Sequence, residues 1–295
     1  GGLVLAAVFG LASAPAHADD VLRGDSAWAR RAEQEVEGRP VPGPIREAMS
    51  AYESALSIRP QNLEARWKLL RALHFAGDYA TSATLPSSQI FNRAREVSEQ
   101  GLELLAVTVG SGVRFEELDP EEIPGWLDAA DLSSRDVARF YFWSAINWGA
   151  WSRNAGLLSA VRQGVANRIH RYTLITVALE PEYEEGGAFR LMGRLHAELP
   201  RVPFVSGWVN RDESIPLLER AYALAPENPG NRLLLALTLL ELAPERRSEA
   251  HDLLKQVEGL TPRSSMRIED LAMRRQARDQ LAKWRASEHM SRVAN

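Results

Sequence analysis

The stretch AMSAYESALSIRP at residues 48–60 decides the fold, because its residue spacing returns twice later in the chain. The two later copies are SIPLLERAYALAP at 214–226 and AHDLLKQVEGLTP at 250–262. In each copy a small residue is followed four positions on by a large one, then after three by a smaller residue and after five by proline. These positions are Ala48, Tyr52, Ala55 and Pro60, then Ser214, Leu218, Ala221 and Pro226, then Ala250, Leu254, Val257 and Pro262.

This spacing is typical of the second helix of a tetratricopeptide repeat. Small side chains let two helices approach closely, the large one fills the groove between them, and proline ends the helix. We therefore predict an all-α fold, a tetratricopeptide-like helical-hairpin array of α-solenoid type with a non-repeat helical middle region. Coincidence in an ordinary helical protein is the alternative, and three copies with one spacing argue against it.

The whole chain after residue 18 is predicted to form one all-helical domain, 19–295, because apolar residues recur at helical spacing and strand signals are nearly absent. Degenerate repeats are expected near 45–80 and 212–262, and a helix that caps the array near 266–287. A membrane-surface role is the alternative for that last helix, but acidic residues dilute its positive charge. The expected helices are 45–58, 62–77, 88–108, 134–154, 157–179, 186–198, 212–225, 230–243, 246–259 and 266–287. The expected connectors are 109–133, a loop with one short helix, and 198–210.

The N-terminus has the pattern of a secretory signal peptide. An apolar run is followed by Ala16-His17-Ala18, a small-x-small cleavage site, and then by two aspartates. A starting methionine and a positive n-region are missing, so we interpret residues 1–18 as part of a cleaved signal peptide. A buried N-terminal helix is the alternative, which Pro15 disfavours. We expect a periplasmic protein, and the absence of cysteine predicts no lipid anchor.

Composition narrows the function classes. The chain of 295 residues has a formal net charge of −4, so it lacks the basic footprint of a nucleic-acid-binding protein. Zero cysteines exclude disulfides, thiolate zinc sites and a cysteine nucleophile. No apolar run after the leader reaches the roughly 18 residues of a membrane span, and we predict none in the mature protein.

An aromatic segment, RFYFWSAINWGAWSRN at 139–154, supplies the candidate ligand site. Trp143, Asn147 and Trp151 fall on one helical stripe, and Trp148 falls beside it. An amide inside an aromatic stripe is costly to bury unless its hydrogen bonds are satisfied. Either another helix satisfies Asn147, or the stripe forms the wall of a cavity with a ligand.

The segment YEEGGAFRLMGRLH at 183–196 supplies the other candidates, Phe189 and Arg190. Gly193 inside a helix costs roughly 1 kcal/mol relative to alanine, which predicts a close approach by another group. Arg190 is expected near the cavity mouth, where its planar donor fork suits a carboxylate. In the alternative, Arg190 pairs with Glu184 or Asp212.

These two segments, a proline-bearing linker and the helix that leads into Asn228-Pro-Gly-Asn231 resemble the T components associated with TRAP transporters (TatT). The resemblance covers roughly residues 45–262. It implies an all-helical periplasmic protein with a cavity or pore, a TRAP-type solute-binding protein as partner, a small organic or hydrophobic ligand, and oligomerisation. Members are often lipoproteins, and the lack of cysteine here departs from that pattern.

The sequence contains few signals of catalytic chemistry. It has no His-Glu-x-x-His, no phosphate-binding glycine loop and no Gly-x-Ser-x-Gly elbow, and its six histidines lack metal-ligand spacing. The acidic cluster Glu180, Glu182, Glu184 and Glu185 is interpreted as a solvated face rather than an acid–base pair. We predict no catalytic residue, metal or cofactor, and a periplasmic accessory protein of a TRAP-type uptake system. The alternative is a general tetratricopeptide scaffold in cell-envelope assembly without a small-molecule ligand.

Overall fold

The structure, a computed structural model, is all-α, as the sequence predicts. It describes residues 16–110, 112–203 and 206–293, with side chains from 18 to 286. Residues 1–15, which hold most of the predicted leader, lie outside the described residues. Within these ranges the only paired strands are β1 (Glu35–Val36) and β2 (Arg39–Pro40), which form one antiparallel hairpin.

The described chain forms 13 α-helices, and they include every predicted helix except 157–179, which is divided in two. The helix α1 and the β-hairpin were not predicted, and the short α5 lies inside the expected connector 109–133. The helices are α1 (Ala16–Ala29), α2 (Pro42–Ile58), α3 (Leu63–Tyr79), α4 (Ser87–Val109), α5 (Ile123–Ala129), α6 (Ser134–Ala155), α7 (Leu157–Arg162), α8 (Val165–Leu179), α9 (Gly187–Glu198), α10 (Ser214–Leu224), α11 (Pro229–Leu242), α12 (Arg247–Gly259) and α13 (Arg267–Val293).

One predicted helix is wrong in extent. The expected continuous helix 157–179 is divided into α7 and α8 at Gly164, whose φ of 62° lies in the left-handed region. Glycine adopts this conformation without steric cost, so the chain turns there. As a result α7 has no buried residue, and Leu157 and Leu158 are exposed.

Helices that follow one another in the chain pack against one another through the whole array. The pairs run from α1 with α2 through α3 with α4 and α6 with α8 to α9 with α10 and α11 with α12. In the middle region α6 packs against α8 and also against α3 and α4. This packing is consistent with a helical-hairpin array.

The repeat signature marks the helix contacts. All nine of its non-proline side chains, from Ala48 in α2 to Val257 in α12, are fully buried. Tyr52 lies directly on Gly24 of α1, where an added Cβ would come within 2.4 Å of the Tyr52 ring. The spacing thus identifies positions where one helix presses on the next, as the close-packing argument expects.

Gly193 confirms the predicted close approach. A Cβ added there would lie 2.7 Å from the Leu218 Cγ atom and 3.0 Å from the Ser214 carbonyl oxygen. The Ser214 hydroxyl also donates to the Gly193 carbonyl at 2.7 Å. Only a residue without a side chain lets α9 and α10 meet at this distance.

The two ends of the described chain are joined by a buried ion pair. Arg31, which follows α1, donates to Glu269 of α13 at 2.8 Å, and only 3% of Arg31 is exposed. The Arg31 guanidinium also stacks on the Trp28 ring at 3.9 Å. Ile268 of α13 belongs to the same core cluster as Phe75 and other residues of the first eight helices. The start of α13 therefore contacts the N-terminal part of the array.

In the part of the chain that the structure describes, no helix combines the length and apolarity that crossing a bilayer requires.

Candidate functional site

The amide of Asn147 lies in a fully buried position on α6. Its Nδ2 group donates to the Leu70 carbonyl of α3 at 3.0 Å and to the Trp143 carbonyl at 2.8 Å. Its Oδ1 atom has no hydrogen-bond partner among the described residues. The amide nitrogen of Asn147 is thus satisfied by a neighbouring helix and by its own helix. This is the arrangement that the sequence offered as the alternative to a ligand-lined cavity.

The tryptophans of α6 are also packed against protein. Trp143 Nε1 donates to the Tyr183 hydroxyl at 2.8 Å, and Trp151 Nε1 donates to Asn92 Oδ1 at 2.8 Å. Trp143 and Trp151 each keep 9% exposure, and Trp148 keeps none. A guanidinium, from Arg168, covers the Trp148 ring at 4.8 Å. These indole rings therefore act as core contacts between α6 and its neighbours.

Arg190 connects α9 to the following hairpin. Its Nη1 group donates to the carbonyls of Glu184 and Glu185 at 2.9 and 3.1 Å, and to Asn231 Oδ1 at 2.7 Å. Burial, the largest cause, lowers the pKa of Arg190 despite the nearby carboxylates. Phe189 beside it is buried beneath the Arg220 guanidinium at 4.2 Å. The structure therefore engages Arg190 with backbone carbonyls of the turn before α9 rather than with the Glu184 or Asp212 carboxylate.

That turn between α8 and α9 has an uncommon backbone. Glu184, Glu185 and Gly186 have φ values of 51°, 56° and 81°, three consecutive left-handed residues. Non-glycine residues in this region carry a cost of order 1 kcal/mol each, so surrounding contacts must hold the turn in place. Arg190 stabilises the turn in this way, because its guanidinium donates to the Glu184 and Glu185 carbonyls, which point towards it.

Tyr183, the partner of Trp143, also lines an open groove of about 680 Å³. Burial raises the pKa of Tyr183, and the charge of Glu184 adds to the shift, so its hydroxyl stays protonated. The groove lies beside the turns before α9, α11 and α13 and the first turns of α6. Its lining is Arg139, Glu180, Glu182, Tyr183, Glu184, Glu185, Asn228, Arg263, Ser265 and Met266.

Two guanidinium groups in the groove already have carboxylate partners. Arg139 holds Glu180 through two hydrogen bonds, at 2.9 and 3.0 Å. Burial lowers the pKa of Arg139, but the bonds and charge of Glu180 outweigh it and leave that pKa raised. Arg263 holds the fully buried Asp270 in the same paired manner, at 2.8 and 3.0 Å.

Two carboxylates of the groove remain without partners. Glu185 is contacted by Asn228 and, at 3.7 Å, by Arg263. Glu182 and Glu184 form no hydrogen bond or ion pair through their carboxylates with any described residue. Four carboxylates face two arginines in this lining, so the groove is negatively charged. It is suited to a positively charged group, not to the organic acid that we expected near Arg190.

Sequence reasoning singled out these glutamates only as a solvated face. Their distance in the chain from Arg139 and Arg263 concealed the groove, which forms when three helix turns meet. The signal that the sequence did offer for this groove was the run of glutamates just before Gly186 and Gly187. In the described part of the chain, no three residues with metal-ligating side chains stand close enough to hold an ion.

A scan against protein-family models finds no match for this chain, and no curated protein matches its sequence.

Proposed function

We propose that the chain is a non-catalytic periplasmic binding protein that serves a TRAP-type solute uptake system. The partner proposed from the sequence resemblance is the TRAP-type solute-binding protein. The helical-hairpin array supports this, because such arrays present long surfaces to other proteins. The proposal includes no reaction step, since neither the sequence motifs nor the groove lining provides a nucleophile with an adjacent base.

The observation that carries the proposal is the pair of unpartnered carboxylates, Glu182 and Glu184, in a groove of about 680 Å³. A lysine or arginine side chain of a partner would find two acceptors there, with Tyr183 and Met266 as apolar contacts. Charged groups arranged in this way speed the association of a protein with an oppositely charged partner and disfavour partners of like charge. We therefore assign the partner surface to this acidic groove.

Export is part of the same proposal. Cleavage after Ala18 would leave Asp19 as the first residue of the mature protein. The named contacts between α1 and α2 begin beyond that point, with Asp20 accepting from Ser54 at 2.6 Å and Asp25 accepting from Tyr52 at 2.8 Å. N-terminal sequencing of the natural protein tests this, and an acylated product would contradict it.

A general scaffold without a small-molecule ligand is the second candidate. The packing of Asn147, Trp143 and Trp151 against α3, Tyr183 and Asn92 favours it, because these residues are already engaged by protein. In that case the groove binds a protein of envelope assembly instead.

Calorimetric titration with a TRAP-type solute-binding protein of the same organism tests the proposal. The double variant Glu182→Gln/Glu184→Gln is expected to weaken binding, and the loss should shrink as salt is raised. Glu121→Gln/Glu245→Gln is the matched control, since both of these residues are exposed and lie outside the groove. If the parent does not bind the solute-binding protein, the TRAP assignment fails and the scaffold remains. If both double variants bind equally, the groove is not the partner surface.

A further inference from the structure

A second pocket, of about 570 Å³, shares no lining residue with the acidic groove. It lies between α8, the connector before α5 and Trp208 of the connector before α10. On α8 the side chains of Asn167, His170 and Arg171 share one face, because they are three and four residues apart. The pocket is therefore formed by elements that are far apart in the chain.

Three arginines converge on this pocket, and none has a carboxylate within 4.0 Å among the described residues. The side chain of Arg114 forms no hydrogen bond or ion pair with the described chain. Arg171 donates only its Nε group, to the Glu116 carbonyl at 2.6 Å. Arg168 is held by the Gln163 carbonyl at 3.0 Å and by the Trp148 ring, and it also interacts with the Tyr172 hydroxyl. Arg168 and Arg171 are thus oriented by backbone and aromatic contacts, and the Nη groups of Arg114 and Arg171 remain available to an anion.

The acidic groups that face these arginines are Glu116 and Glu117. One oxygen of Glu116 already accepts from the Tyr141 hydroxyl at 3.0 Å. Three arginines against two glutamates leave the lining with a net positive charge. The helix α8, which supplies Arg168 and Arg171, contains no acidic residue that would offset this charge.

One wall of the pocket is aromatic. The rings of His170 and Trp208 are stacked at 3.9 Å with an interplanar angle of 5°. Trp208 is fixed by its Nε1 group, which donates to Asn167 Oδ1 at 2.7 Å. Burial, aided by the charges of His196 and Arg171, lowers the pKa of His170 to about 4. At neutral pH this wall is therefore an uncharged flat surface.

We propose that this pocket binds a small organic anion, a carboxylate or phosphate carried on a flat ring. The arginines hold the anionic group, since guanidinium forks match the geometry of carboxylate and phosphate. The His170–Trp208 pair contacts the ring, as aromatic side chains do in pockets for small molecules. This site is independent of the partner groove, and either can fail without the other.

Calorimetric titration of the full chain with benzoate, phenyl phosphate and inorganic phosphate tests the proposal. Arg114→Gln is the main variant, because Arg114 is exposed and its side chain forms no hydrogen bond or ion pair with described residues. Loss of one charged hydrogen-bond donor is expected to weaken the ring-bearing anions about tenfold. Arg135→Gln, an exposed arginine outside the pocket, is the control and should bind like the parent.

The aromatic wall is tested separately with Trp208→Leu, and with Trp208→Phe if the leucine variant does not fold. Trp208→Leu should weaken phenyl phosphate more than inorganic phosphate, and the tighter of benzoate and phenyl phosphate identifies the anionic group. Binding of phenyl phosphate no tighter than of inorganic phosphate would overturn the role of the ring. Absence of binding by both ring-bearing anions, or equal losses in Arg114→Gln and Arg135→Gln, would overturn the site.

Discussion

Gly193 of α9 lies so close to Leu218 of α10 that an added Cβ would stand 2.7 Å from the Leu218 Cγ atom. We expect Gly193→Ala to destabilise the protein. Alanine gains roughly 1 kcal/mol of helix propensity, but overpacking against a backbone oxygen and a buried leucine costs about 1–3 kcal/mol. Urea unfolding should give a lower free energy of unfolding than the parent. Gly43→Ala in α2, with nothing within 4 Å, is the control and should be neutral or stabilising.

The fully buried Asn231 is expected to be a larger determinant of stability than its size suggests. Its Nδ2 group donates to the carbonyls of Ala221, Ala225 and Glu185, and its Oδ1 accepts from Arg190. Asn231→Ala removes these buried hydrogen bonds together, and each contributes about 0.5–1.5 kcal/mol. Thermal unfolding should show a marked decrease in Tm.

Asn154→Ala provides the comparison for that experiment. Asn154 donates only to the Ala150 carbonyl of its own helix, so its replacement should change Tm little. Equal effects of the two replacements would argue against the role assigned to Asn231 in joining α9, α10 and α11.

The ion pair between Arg31 and Glu269 is expected to matter more than the neighbouring pair between Arg30 and Glu47. Arg31 and Glu269 keep 4% and 12% side-chain exposure, whereas Arg30 and Glu47 keep 42% and 45%. Arg31→Ala should cost roughly 3 kcal/mol, because it leaves a largely buried carboxylate without its partner. Arg30→Ala should cost at most about 1 kcal/mol.

The free energy of unfolding of both variants, measured in urea, checks this order. The double variant Arg31→Met/Glu269→Leu should recover much of the lost stability, because it removes the unpaired charge. If Arg31→Ala lowers the free energy of unfolding no more than Arg30→Ala does, the ion pair between Arg31 and Glu269 contributes little to stability.

Acid should destabilise the fold partly through His170. Its pKa falls from 6.5 to about 4 in the folded protein, so the unfolded chain binds the proton more readily. Stability contributed by the neutral ring is present above pH 6.5 and is lost as the pH falls towards 4. The free energy of unfolding should therefore decrease over this window, and decrease less in His170→Phe. Parallel curves for the parent and His170→Phe would contradict the assignment.

The repeat region was predictable because its information is local. Ala221 and Leu218 are three residues apart in one helix, and both are buried where the spacing requires. The close contact at Gly193 was predictable for a related reason, since a glycine inside a helix needs a packing explanation. The break at Gly164 was not, because a lone glycine in an apolar periodic stretch is also compatible with a continuous helix.

The candidate site was much less accessible to sequence reasoning. The spacing of Trp143, Asn147 and Trp151 correctly indicates that they share one helical face. Periodicity does not reveal whether a ligand or a neighbouring helix covers that face. The acidic groove requires Arg139, Glu184 and Arg263 to meet, and no local pattern connects them. Such positions become neighbours only through the order in which the hairpins stack.

The contact between Arg31 and Glu269 also bears on the order in which the protein folds. The two residues are 238 positions apart, whereas the helical hairpins join residues a few tens of positions apart. Contacts between residues close in the chain cost less loop-closure entropy, so each hairpin can form before this distant contact. Until α13 packs there, the guanidinium of Arg31 and the adjoining apolar surface have no covering helix. We therefore expect the segment around Arg31 to be completed late in folding, although α1 and α2 can pack together early.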